Sequence, residues 1–183
     1  MKYPTSIMKQ TSLLFALSMV VLFACSTDGD TDKDMTRPTI TDQGLAEQGL
    51  VANPIDCQVY QRGDTIHFCY AFTDDTELGN FNIEIHNNFD HHTHGTSASE
   101  CDHDDDHEAD AELLRRLQAE GKTDTLWVYN RDFAIPAGQR SYVARVDIPV
   151  PADKMPGHYH FAIRVTDRAG WQELKAIELE VSQ

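Results

Sequence analysis

The chain has 183 residues, a formal charge of −15, and 30 acidic against 15 basic side chains. So acidic a chain excludes nucleic acid and anionic lipid as charge-driven partners and favours cations or basic partners instead. The length suits one domain with a tether.

The first predicted element is an export signal. Lys2 and Lys9 precede an apolar run over 13–23, and no acid interrupts the stretch. That run is far shorter than the roughly 20 residues a helix needs to cross a bilayer core, so 1–24 reads as a signal peptide. It ends Leu22-Phe23-Ala24-Cys25. This resembles the bacterial lipobox, in which the cysteine thiol takes a lipid and becomes the first residue of the mature chain. The expected anchor is therefore a membrane, through lipid on Cys25. Ser26 stands where an aspartate would favour inner-membrane retention. Asp28, Asp30, Asp32 and Asp34 follow, an acidic stretch resembling a surface-export signal. Both point to the outer membrane and its outer face. Removing 1–24 removes two lysines and no acid, so the mature chain is more acidic still.

Residues 25–53 are polar and read as a flexible tether. From residue 54 apolar residues alternate with polar ones between turn signals, the pattern of strands. Strands are predicted over 55–60, 65–72, 81–86, 125–130 (with Trp127), 141–150, 157–166 and 171–181. A helix is predicted over 107–120, where Leu113, Leu114 and Leu117 share a face and Gly121 supplies a stop. The predicted class is an all-β, immunoglobulin-like β-sandwich of about seven strands with one short helical insertion. Its domain would run 54–183, with a His/Asp-rich insertion over 86–121. Cys57 and Cys69 are symmetric about Gly63. A hairpin there would bring them within disulfide reach and leave Cys101 unpaired; two buried thiols are the alternative.

The chemistry concentrates in the insertion. All nine histidines fall between His67 and His160, and residues 63–114 contain no lysine or arginine. The stretch 86–108 alone holds six histidines, Cys101 and seven carboxylates. Neutral imidazole and thiolate are ligands that zinc and copper prefer. Carboxylates without local cations offset the charge of an incoming divalent ion. A second element is Gly157-His158-Tyr159-His160-Phe161, whose two imidazoles lie on one face of a strand, about 7 Å apart. In an immunoglobulin-like sandwich this strand neighbours the one carrying His86. His86, His158 and His160 should then share the outer face of one sheet. The expected ligand pool is His86, His92, His94, His158 and His160, with His91, Cys101, His103 and His107 as a looser second set. Against this, the insertion can be a solvated loop, and His158 and His160 plain surface residues. His67 reads as structural. Asp102, Asp104 and Asp106 have the alternation of an EF-hand loop, but His107 replaces its glycine and Leu113 its closing glutamate, so that reading fails.

Several motifs carry a resemblance. They are Arg62-Gly63-Asp64-Thr65-Ile66, Phe72-Thr73-Asp74-Asp75 with Leu78-Gly79, 85–94, and Gly157-His158-Tyr159-His160-Phe161 with Val165-Thr166-Asp167. Over roughly 36–183 the chain resembles the Bacteroides-type lipoproteins carrying domain of unknown function 4625. The resemblance implies a fold and a location and no activity; the acidic stretch 100–108 looks like an addition to it.

The leading functional expectation is a surface lipoprotein that binds zinc or copper for capture, or for delivery to a TonB-dependent receptor. The alternative is an immunoglobulin-like module contacting a glycan or a protein, with Trp127, Tyr129, Tyr142 and Trp171 as aromatic platform. A metallohydrolase using Glu84 or Asp90 as base has no signature and no water-excluding pocket behind it. No serine or cysteine nucleophile arrangement and no phosphate-binding glycine loop is visible.

Overall fold

Strict alternation of apolar and polar residues builds two facing sheets, because successive side chains of a strand point to opposite sides. The computed structural model describes residues 33–89 and 107–183, with backbone alone over 107–110. All but Lys33 of these belong to one unit, Asp34–Gln183. The smaller sheet contains β1 (Thr39–Thr41), β3 (Thr65–Thr73) and β6 (Ser141–Pro149), in the order β1-β3-β6. The larger contains β2 (Gln58–Gln61), β4 (Leu78–Asn87), β5 (Tyr129–Ala134), β7 (Gly157–Asp167) and β8 (Gln172–Ser182), in the order β2-β8-β7-β4-β5. Neighbours are antiparallel except β2 and β8, which run parallel.

The core lies between the sheets. Ile66, Phe68, Tyr70 and Phe72 of β3 meet Phe81, Ile83 and Ile85 of β4 and Tyr159, Phe161, Ile163 and Val165 of β7. Phe68 stacks on Phe81 and Phe161 at centroid distances of 6.1 and 5.9 Å. Among the described residues this is an all-β sandwich of two sheets with one α-helix. The helix α1 (His107–Glu120) packs Leu113, Leu114 and Leu117 on the core. It ends as its sequence predicts. Gly121 takes a φ of +68°, and the Lys122 and Gly121 N–H groups donate to the carbonyls of Leu117 and Gln118. That is a Schellman stop, which leaves two otherwise orphaned carbonyls satisfied.

Three features differ from the sequence-based expectation. The fold begins at Asp34, so residues 34–53 are part of the domain and not of a tether. Ile40 of β1 packs on the core, and Leu45 is buried with Cys69 and Ala71. Leu50 and Ala52 pack beside them, and these four apolar side chains suffice in this polar stretch because β3 offers a free edge for β1 to pair with. Second, the predicted strand 125–130 is displaced. Thr123–Thr125 is a 3₁₀ turn, Trp127 is buried against Tyr159 at 5.8 Å, and pairing with β4 begins only at Tyr129.

Third, Cys57 and Cys69 are not bonded to each other. Cys57 is in a disulfide whose other half lies outside the described residues, whereas Cys69 is a buried free thiol. Gly63 does turn the chain, with a φ of +93°, but it carries the chain across the sandwich. β2 joins β8 in one sheet and β3 joins β1 and β6 in the other, so the two cysteines never face each other in a hairpin. The backbone of Cys69 is instead held by Asn53, through hydrogen bonds of 2.8 and 3.1 Å.

Candidate metal centre

The register of β4 on β7 builds the site. Ile85 pairs with Phe161 on the core face, so the next pair, His86 and His160, falls on the opposite face. Their rings meet edge to face, with centroids 5.5 Å apart. On its other side β7 pairs with β8, and His160 lies opposite Glu178. His86, His160 and Glu178 thus form one row across three strands. His158 sits two residues along β7 on the same face, and its Nδ1 is 3.6 Å from Glu178 Oε1. The Nδ1 of His86 is 3.4 Å from Glu84 Oε1. With strands about 4.8 Å apart and same-face residues about 7 Å apart, these donors occupy a patch about 10 Å by 7 Å.

The patch is not the open surface that the alternation predicts. His158, His160 and Glu178 are only 7%, 3% and 6% exposed, and His86 is partly buried. Buried imidazoles and carboxylates persist where polar partners stand beside them, as His158 and Glu178 do here. The chain leaving β4 is also tightly held. The Asn88 N–H donates to the His158 carbonyl at 2.8 Å, and Phe89 is fully buried with its ring 5.7 Å from that of Tyr159. Phe89 lies directly over Gly157. A Cβ at that position would stand 2.4 Å from Phe89 Cε1, and the φ of Gly157 is +138°. The glycine preceding the His-X-His motif therefore admits Phe89, and Phe89 fixes where the histidine-rich stretch leaves the sheet.

Of the leading candidates, His86, His158 and His160 come together. His91, His92, His94, Cys101 and His103 lie outside the described residues, as do the lipid-attachment candidate Cys25 and the side chain of His107. Asp90, weighed as a base, lies there too. Glu178 joins the patch unannounced. In sequence it alternates between Ile177 and Leu179 and reads as a solvent-facing strand residue; only the β7–β8 register brings it to His158 and His160. His67 stands apart, on β3 of the smaller sheet, with its Nδ1 2.7 Å from Asp147 Oδ1. It lines a groove of about 590 Å³ with Asn53, Tyr60, Cys69, Arg145 and Asp147. The aromatic platform weighed for a glycan or protein ligand is dispersed. Trp127 is buried, Tyr129 and Tyr142 lie on different sheets, and Trp171 sits in the β7–β8 turn. Imidazoles with an adjacent carboxylate make a donor set suited to zinc or copper. Among the described residues no helix is long and apolar enough to cross a membrane.

The chain belongs to the family described as Domain of unknown function (DUF4625), whose profile matches residues 23–182. Among solved structures it is similar to the soluble domain of PmoD from Methylocystis sp. ATCC 49242 (Rockwell). The identity is 13% and the TM-score 0.29, over 81% of this chain and 92% of that one. No curated protein matches the chain.

Proposed function

From a family without an assigned activity and from the geometry of this patch, we propose that the chain is a lipid-anchored outer-membrane protein that binds zinc or copper. The observation that carries the reading is the row His86–His160–Glu178 with His158 beside it, three imidazoles and a carboxylate on one sheet face. The sequence supplies His92 and His94 within eight residues of His86, so the ligand pool can be completed from the insertion. Zinc takes four ligands, and three histidines with a carboxylate meet that number. Glu178 serves either as a ligand or as the acceptor that orients an imidazole, a role carboxylates commonly have behind metal-bound histidine. Buried donors suit capture and retention of the ion more than rapid exchange. The protein is read as a binding protein and not an enzyme. Anchoring through Cys25, surface exposure and delivery to a TonB-dependent receptor follow from the export signal and the compartment it implies.

The test is calorimetric titration of the full chain, in detergent, with zinc and with copper. Binding tighter than millimolar is expected, and His86→Ala, His158→Ala and His160→Ala should each weaken it at least about tenfold, near the loss seen on removing supporting groups of metal sites. Absence of such binding, or variants that bind as the parent does, removes the reading.

A further inference from the structure

The other end of β4 and β7 carries a second cluster. β7 ends at Asp167, which pairs with Leu78 at the start of β4, and Asp74 lies in the turn between β3 and β4. Asp34, the first residue of the folded unit, comes to the same place. Asp34, Asp74 and Asp167 each bring a carboxylate oxygen to within 4.8 Å of the others. Acidic clusters on surfaces are commonplace, but this one includes a buried carboxylate. Asp167 is 4% exposed, and Asp34 and Asp74 are partly buried.

The two oxygens of each carboxylate divide their tasks. Asp167 Oδ1 accepts the N–H groups of Gly170 at 2.6 Å and Trp171 at 2.8 Å, which closes the β7–β8 turn. Asp74 Oδ1 accepts the Thr76 N–H at 2.9 Å. Asp34 Oδ1 accepts the N–H and the hydroxyl of Thr36, each at 3.0 Å. The Oδ2 atoms of all three are buried and have no hydrogen-bond partner among the described residues. Nor, among the described residues, does any of the three join an ion pair. A buried carboxylate oxygen without donor or counter-ion is unfavourable, and three carboxylates clustered together repel each other. A bound cation removes both problems at once.

We propose that Asp34, Asp74 and Asp167 hold a calcium ion through their Oδ2 atoms. The donors are all oxygen, which selects a hard cation over zinc or copper. Calcium–oxygen bonds of about 2.3–2.6 Å in a flexible coordination shell let one ion bridge three carboxylates fixed by their turns, whereas magnesium demands a near-ideal octahedron at about 2.0–2.1 Å. Water can supply the remaining positions. The ion fastens Asp34 to the β3–β4 and β7–β8 turns, so it closes the fold at the point where the chain enters it. This site stands independently of the histidine patch.

Trp171 provides the probe. Its N–H groups reach both sides of the cluster, the backbone one to Asp167 Oδ1 and the indole one to the Asp34 carbonyl at 3.0 Å. Terbium added to the full chain, stripped of metal with a chelator, should emit when the indole is excited, and calcium should quench that emission by displacement. Trp171→Phe should abolish it and Trp127→Phe preserve it. Millimolar calcium should raise the melting temperature by about 5 °C or more for a micromolar site. Asp74→Asn should remove that rise, while His86→Ala and His160→Ala leave it intact. Asp74 is the preferred variant because its Oδ1 holds a single turn N–H, which asparagine retains. Emission that calcium does not displace, emission that survives Trp171→Phe, or a calcium-induced rise unchanged in Asp74→Asn each overturns the proposal.

Discussion

Gly157→Ala tests how the His-X-His strand is set in place. The added methyl meets Phe89 Cε1 at 2.4 Å and Cζ at 2.7 Å, about 1 Å inside ordinary contact. Phe89 cannot simply swing away, because it is fully buried against Tyr159. Overpacking of this kind costs about 1–3 kcal/mol. A φ of +138° adds backbone strain of about 1–3 kcal/mol that glycine alone avoids. Together the substitution should destabilise the fold by about 2–6 kcal/mol, lowering the melting temperature by about 5–15 °C for a domain of this size. Thermal melts followed by circular dichroism measure this directly. Phe89→Ala alone should cost about 3–5 kcal/mol through the cavity it leaves. The double variant removes the clash but keeps the strain, so it should be less destabilised than the sum of the singles by about 1–3 kcal/mol. A fall of less than about 2 °C for Gly157→Ala, or additivity of the pair within about 0.5 kcal/mol, refutes the account.

Other consequences can be measured in the same way. Leu45→Ala should cost about 2–5 kcal/mol in a denaturant titration, whereas a residue in a true tether would leave stability unchanged. Burial pushes the Tyr159 hydroxyl up to about 12, against about 10 in an unfolded chain. The unfolded state therefore loses this proton first, and stability that is intact below about pH 10 should fall between about pH 10 and 12. Tyr159→Phe gives up the hydrogen bond to the Met155 carbonyl, about 1 kcal/mol at neutral pH, but should show a shallower alkaline loss in melts against pH. Burial also pushes the Cys69 thiol above its ordinary range. Mass mapping should find Cys69 alkylated only after denaturation and Cys57 in a disulfide with a cysteine other than Cys69.

The histidine patch was legible where it depends on local periodicity. His86 alternates with Ile83 and Ile85, and His158 and His160 with Tyr159 and Phe161, so each face could be assigned from spacing alone. That the two strands adjoin follows from the order of strands in a sandwich. Register is different. It decides that His160 meets Glu178 and that the patch is buried, and it is set by the packing of Phe161 and Ile177 inside the sandwich. The disulfide expectation failed for a related reason. A turn at Gly63 is visible in sequence, but whether the next strand stays in the sheet or crosses to the other depends on which edges are free. The aspartate cluster was hidden altogether. Asp74 and Asp167 read as turn residues, which their Oδ1 atoms make them, and Asp34 reads as the end of an acidic leader. Only the folded chain shows that their carboxylates converge.

The pairing of β4 with β7 continues without a break from Asn80–Thr166 to Asn87–Tyr159. Along β7 the seven steps from His160 to Asp167 span about 23 Å. At that separation and an effective dielectric of about 20, unit charges at the two poles interact by less than about 1 kcal/mol. A register shift between Leu78 and Asn80 also sets the Asp167 end apart from this ladder. Imidazoles at one pole and carboxylates at the other should therefore take up their ions as separate instruments built on one frame.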